Sequence, residues 1–178
     1  MNASETGDAR FQYLSFFLAG EEYAINILKV KEIIEYRSLT RMPSVPPSVR
    51  GVISLRGRVV PVIDLAVRFG LPASEVTPRS CIVMVEAAPD GEPTMMGIMT
   101  DAVSQVLDLA PQQIQPPPTL GTRIRAEYLA GMGEAGRKFV MVLNVDRTLA
   151  IGGLSGDAPA LVGGDRAARD AAMVAPAS

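Results

Sequence analysis

Short apolar runs broken by turn-forming residues dominate the chain, and most show the alternation and the aromatic or β-branched content of half-buried strands. The first is Phe11-Gln12-Tyr13-Leu14-Ser15-Phe16-Phe17-Leu18; a turn follows at Gly20-Glu21-Glu22, and Tyr23 to Ile27 alternates again. Leu28 to Ile34 is ambiguous, because Val30, Ile33 and Ile34 fall at helical spacing among β-rich neighbours. It reads as a short helical turn with Val30 and Ile33 on one side and Glu32 on another. Beyond a rigid connector containing Pro43, Pro46 and Pro47, Gly51–Leu55 and Val59–Ile63 flank the tight turn Arg56-Gly57-Arg58. This predicts a hairpin, with Pro61 marking an edge strand or a bulge. Further strands are expected at Cys81–Val85, Thr94–Thr100 and Lys138–Val145, with Pro116-Pro117-Pro118 as a stiff crossover. Residues 1–10 and 153–178 lack sustained periodicity, apart from a candidate short helix near Asp165 to Val174, and are read as mobile tails around a single domain spanning 11–152.

An internal repeat changes the architecture that these strands imply. Gly51, Arg58, Asp64 and Leu65 recur at one constant offset as Gly131, Lys138, Asn144 and Val145, and Val59-Val60-Pro61-Val62-Ile63 is matched by Phe139-Val140-Met141-Val142-Leu143. Upstream, Ala24-Ile25, Val30, Ile33 and Ile34 recur at a second, slightly shorter offset as Gly97-Ile98, Val103, Val106 and Leu107. Two offsets in series predict an all-β protein of two similar subdomains, each closing its strands into a small barrel, because an open sheet of such apolar strands would leave aggregation-prone edges.

Composition then removes function classes. With 178 residues, 48% of them hydrophobic, the chain can bury a substantial core. A net charge of −2 without a long basic run gives no footprint for nucleic acid. The absence of histidine excludes Ser-His hydrolases, His-ligated metals and histidine phosphotransfer. Cys81 stands alone in an apolar run, so it makes no intrachain disulfide and no thiolate metal site. Neither a leader-like N-terminus nor a membrane-length apolar segment is present, so a cytoplasmic protein without membrane insertion is expected. No phosphate-binding loop occurs and no cofactor is expected.

Asp64 and Asp101 are the carboxylates best placed for a remote hydrolase reading. Yet Asp64 aligns with Asn144, and a side chain interchangeable with an amide suits a strand-end cap better than acid–base work. Arg56 is matched by Gly136, so it is not required by the duplicated fold; its guanidinium can stay solvated, pair with a carboxylate or anchor a partner. Glu32 is a second candidate, beside the apolar pair Val30 and Ile33. A groove between two barrels, lined from both sides by Val30 with Val103 and Ile33 with Val106, would suit a partner helix.

Taken in order, Gly20-Glu21-Glu22-Tyr23-Ala24-Ile25-Asn26-Ile27, Val30-Lys31-Glu32-Ile33, Arg50-Gly51-Val52-Ile53-Ser54-Leu55-Arg56-Gly57, Val60-Pro61-Val62-Ile63-Asp64-Leu65 and Gly97-Ile98-Met99-Thr100-Asp101-Ala102-Val103 resemble the CheW family from about Phe11 to about Leu149. The resemblance implies two five-stranded SH3-like β-barrels. It also implies a non-catalytic chemotaxis adaptor bridging chemoreceptor cytoplasmic hairpins and the regulatory domain of the histidine kinase CheA, recruited to membrane-associated receptor arrays. A scaffold of another chemosensory system, in twitching motility or surface sensing, shares the same features. The implied receptor and kinase surface falls on Val30, Glu32, Arg56, Val103 and Val106. Ser54 stands where the family often has Asn, and Met95, Met96 and Met99 replace more usual branched residues.

Overall fold

The computed structural model describes residues 11–89, 91–116 and 126–150, so the expected tails and most of the proline crossover lie outside the described residues. Among the described residues, eleven strands form two sheets. One has the order β8-β1-β2-β11-β10-β9, from β1 (Gln12–Leu18), β2 (Glu21–Asn26), β8 (Ala102–Asp108), β9 (Ile114–Gln115), β10 (Leu129–Ala135) and β11 (Lys138–Leu143). The other has the order β3-β6-β7-β5-β4, from β3 (Val30–Glu35), β4 (Val49–Leu55), β5 (Arg58–Asp64), β6 (Cys81–Ala87) and β7 (Thr94–Thr100). Two single-turn helices, α1 (Leu65–Arg68) and α2 (Val145–Thr148), follow β5 and β11. Among the described residues no helix is long and apolar enough to cross a membrane.

The two β subdomains are there, but neither is one sequence repeat. The hairpin β1–β2 of the first repeat sits between β8 and β11 of the second, and β6–β7 of the second sits between β3 and β5 of the first. The two repeats therefore meet at the parallel junctions β2–β11 and β5–β7 and at the antiparallel junctions β1–β8 and β3–β6. The sheet orders superimpose strand for strand except at β9, whose place in the other sheet is taken by the single bridge between Thr40 and Val52. Residues 51–60 and 131–140 show the same succession of buried and exposed positions.

Burial follows this duplication. The largest apolar cluster lies between the sheets and is built from counterparts: Leu14 and Val83, Phe16 and Val85, Leu18 and Ala87, Tyr23 and Met96, Ile25 and Ile98, Val49 and Leu129, Ile63 and Leu143, Leu65 and Val145, Phe69 and Leu149. Only Tyr128 breaks the pairing, and its ring extends the aromatic series Phe16, Tyr23, Phe69. Smaller clusters fill each subdomain, around Ile53, Val60, Val62, Ile82, Met84 and Met99 in one and around Ala24, Leu109, Val140 and Val142 in the other. Arg68 joins the halves, donating from Nε to the Thr148 carbonyl at 3.0 Å and from Nη2 to the Ala150 carbonyl at 3.0 Å, with its guanidinium 5.0 Å from the centre of the Tyr128 ring.

Three sequence expectations change. The 3₁₀ turn covers only Ile27–Lys29, and Val30–Glu35 is a strand, because its β-branched residues pair with β6. Pro61 lies within β5 between two neighbours; β7 joins β5 only from Val62 onward, so the missing N–H interrupts no ladder on that side. The run from Lys138 ends as a strand at Leu143, because Asn144 starts α2 instead. Gly51 is required where the connector crosses β4: its φ is +156°, and a Cβ would lie 2.6 Å from the Thr40 carbonyl oxygen.

Asp64 proves structural. It is fully buried and accepts from Ala66 N at 3.0 Å, Ser74 N at 2.9 Å, Ser74 Oγ at 3.1 Å and Arg50 Nη1 at 2.7 Å. Asn144 does only the capping part of this task, accepting from Arg147 N at 3.0 Å. Asp64→Ala therefore strands Arg50 and the 71–79 loop together with the cap, and it is expected to cost about 3 kcal/mol in chemical denaturation. Asn144→Ala loses a cap alone and should cost about 1 kcal/mol. Equal losses would contradict the difference in role.

Candidate partner surface

Glu32 and Arg56 are brought together. Arg56 Nη1 donates to Glu32 Oε1 at 2.5 Å and Nη2 to Oε2 at 3.1 Å, a paired fork across the seam between β3 and the β4–β5 turn. Arg37 reinforces that seam by donating from Nη2 to the Ser54 carbonyl at 2.8 Å, so the two outer strands of the five-stranded sheet are joined by side chains. The Arg56 side chain remains 71% exposed and that of Glu32 31% exposed. Hydrogen bonding to Arg56, aided by the charges of Arg56 and Arg37, holds the Glu32 carboxyl below the usual carboxylate range against the opposing effect of desolvation, and it raises the already high pKa of Arg56.

Backbone geometry makes Arg56 more unusual than its charge does. Its φ is +53°, in the left-handed region that few non-glycine residues occupy, and Gly57 follows at +80°. The matching position in the second hairpin is Gly136, at φ +67°. The counterpart of Glu32, at the upstream repeat offset, is Gln105. The turn thus favours glycine, and one half of the molecule keeps an arginine there together with a carboxylate to receive it.

A β-bulge between Val30 and Glu32 keeps Val30 and Ile33 on one face, opposite Val85 and Val83 of the central cluster, and puts Glu32 on the other, opposite Met84, the same division of faces that the sequence predicts. Val30 and Val103 pack, partly buried, against the central cluster, whereas Ile33 and Val106 are exposed at 43% and 50%. A second bulge, in the pairing of β1 with β8 between Leu14 and Phe16, likewise places Val103 and Val106 on one face, and β3 and β8 are outer strands of different sheets. An open cleft of about 1050 Å³ is lined by Phe17, Ala19, Gly20, Asp101 and Ala102 on one wall and by Ala66 and residues 72–75 and 77–79 on the other, and by none of the four. Asp101 accepts from Ala19 N at 2.9 Å, where Ala19 has φ +51°, and so secures the β1–β2 turn that forms the rim.

Two features escape sequence reading. Val59 and Phe139 are exposed counterparts at the start of β5 and β11, detectable because alternation with the inward Val60 and Val140 points them outward. Glu22 is 8% exposed, with its Oε1 2.6 Å from Lys138 Nζ. Burial works to raise its carboxyl, and Lys138, with Ser15 and Ser104, outweighs this and holds it below the usual value. Its counterpart, Met95, gives no hint of a charge, so the repeat alone does not reveal it.

Comparison with known proteins agrees with this architecture. A family model described as the CheW-like domain matches residues 12–151. The chain is 34% identical over 139 residues to a chemotaxis protein CheW of Klebsiella aerogenes, covering 78% of this chain and 81% of that protein. It is 31% identical over 146 residues to a chemotaxis protein CheW of Helicobacter pylori, with 82% and 85% covered. Its fold matches the crystal structure of the scaffolding protein TtCheW from Thermoanaerobacter tengcongensis with a TM-score of 0.69 and 32% identity, covering 76% of this chain and 85% of that one.

Because the folded Glu32 pKa lies below its unfolded value, the ion pair contributes fully above the unfolded range of about 4.3 and is lost as pH falls through the folded value. Arg56→Ala is expected to move the Glu32 titration upward, toward that of an ordinary carboxylate, in an NMR pH series. A titration that the substitution leaves unmoved would contradict the pairing.

Proposed function

The chain belongs to the CheW family, and we propose that it works as a non-catalytic chemotaxis adaptor that couples chemoreceptors to the histidine kinase CheA. On this reading it binds the receptor's cytoplasmic hairpin and the kinase's regulatory domain, and it is recruited from the cytoplasm to membrane-associated arrays. The contact surface comprises the Glu32–Arg56 pair on one face of β3 and, on the other, Val30 and Ile33, with Val103 and Val106 of β8.

The observation that carries this reading is the one-sided Glu32–Arg56 pair. The two halves match in strand order, core and burial, yet among the described residues only the first holds an exposed, forked ion pair, and it does so at a turn position where glycine fits better. A fold-stabilising role would favour the cheaper solution at Gly136 in both halves. An exposed arginine with a planar, pre-oriented fork is the residue type that anchors protein interfaces. The carboxylates of the hydrolase alternative favour the same reading, because Asp64 and Asp101 hold backbone amides and, for Asp64, an arginine.

Co-sedimentation with receptor-containing membranes, with and without the kinase, tests the proposal. The chain should pellet with both, and Arg56→Ala should weaken assembly about tenfold, as loss of an interface anchor does, while its denaturation midpoint changes only by the small contribution of an exposed ion pair. A chain that remains in the supernatant with both partners present would overturn the adaptor reading.

A further inference from the structure

Each subdomain is completed by a hairpin from the other repeat, and the two exchanged hairpins are attached differently. β6–β7 is entered through the segment after α1 and left through Asp101, so two connections tether it. β1–β2 has a single link to the rest of the described chain, the turn Ile27–Lys29. None of those three residues is buried, and Leu28 is 55% exposed.

The flanks of that turn are already extended: Asn26 has φ −61° and ψ 132°, and Val30 has φ −84° and ψ 127°. Opening three residues would make Glu21–Glu35 one uninterrupted strand. That stretch contains no glycine or proline, and Tyr23, Ile25, Ile27, Val30, Ile33 and Ile34 favour the extended state. The opening gives up the Asn26 cap on Leu28 N and disturbs the partly exposed contact of Lys29 with Asp146. Every pairing of the hairpin with β8 and β11 can be remade unchanged on a second copy.

We infer that the chain forms a reciprocal dimer in which the β1–β2 hairpin of each copy fills the place between β8 and β11 of the other, with Ile27–Lys29 as the hinge. Within one molecule the hairpin is held at high effective concentration, so dilute protein is monomeric; folding at high concentration lets a neighbour's hairpin compete. The dimer presents two copies of the Glu32–Arg56 pair, each directly beyond a hinge.

The test uses the full chain with Cys81→Ser, Gln12→Cys and Asp108→Cys. Residues 12 and 108 are register partners between β1 and β8, and facing Cα atoms in an antiparallel pair lie about 4.5–5.5 Å apart, within disulfide reach. The protein is unfolded in reductant, refolded at low and high concentration, oxidised, and examined by light scattering and by denaturing electrophoresis without reductant. Exchange predicts monomers with an intrachain bridge at low concentration and, at high concentration, dimers that stay covalently joined when denatured. Deleting Leu28 and Lys29 should shift the population to dimer even when dilute, and inserting Gly-Ser-Gly after Leu28 should restore monomer at high concentration. Dimers whose chains separate on denaturation, or monomers throughout the concentration series, would overturn the inference. If the deletion variant does not fold, the concentration series of the parent decides.

Discussion

The structure depends on one constraint: neither sequence repeat can bury its own apolar strands. Each repeat contributes a hairpin to one sheet and its remaining strands to the other, so the cluster between the sheets comes into existence only when both repeats are present. Removing that much apolar surface from water is the dominant favourable contribution to folding, and here it acts through long-range pairing rather than local contacts. The predominance of such pairing, including two parallel junctions, places the chain among slowly folding β topologies.

Duplication also acts as an internal control. Where both halves keep a feature, the fold explains it: Gly51 and Gly131 meet crossing backbone, and Asp64 and Asn144 both cap a helical turn. Where only one half keeps a feature, another cause is needed. Asp64 illustrates the intermediate case, since its extra partners Arg50 and Ser74 anchor a loop that has no described counterpart after α2. The Glu32–Arg56 pair is different, because it fastens a seam that the second half closes without it, and it leaves the guanidinium largely in solvent.

Much of this is legible in the residues. Alternation locates most strands, and the two constant repeat offsets reveal the duplication together with the asymmetry at Arg56. Strand exchange is not legible, because identical alternation results whether a hairpin pairs within its own repeat or with the other. β3 is legible only in part because Val30, Ile33 and Ile34 satisfy both periods; pairing with β6 decides between them. The bulge that keeps Val30 and Ile33 on one face, away from Glu32, is hidden for the same reason, since it exists only in the pairing with β6. The pairing of buried Glu22 with exposed Lys138 is hidden because its counterparts, Met95 and Arg58, form no such contact to compare.

The central claim is that one half of a duplicated fold carries a surface feature that the fold itself does not need. It is tested most directly by giving that half the residues of the other, Glu32→Gln with Arg56→Gly, and measuring kinase and receptor binding alongside denaturation of the same sample. The account predicts a nearly unchanged denaturation midpoint, because an exposed ion pair contributes little to stability, with binding weakened about tenfold or more. Unimpaired binding, or a collapse of stability, would contradict it.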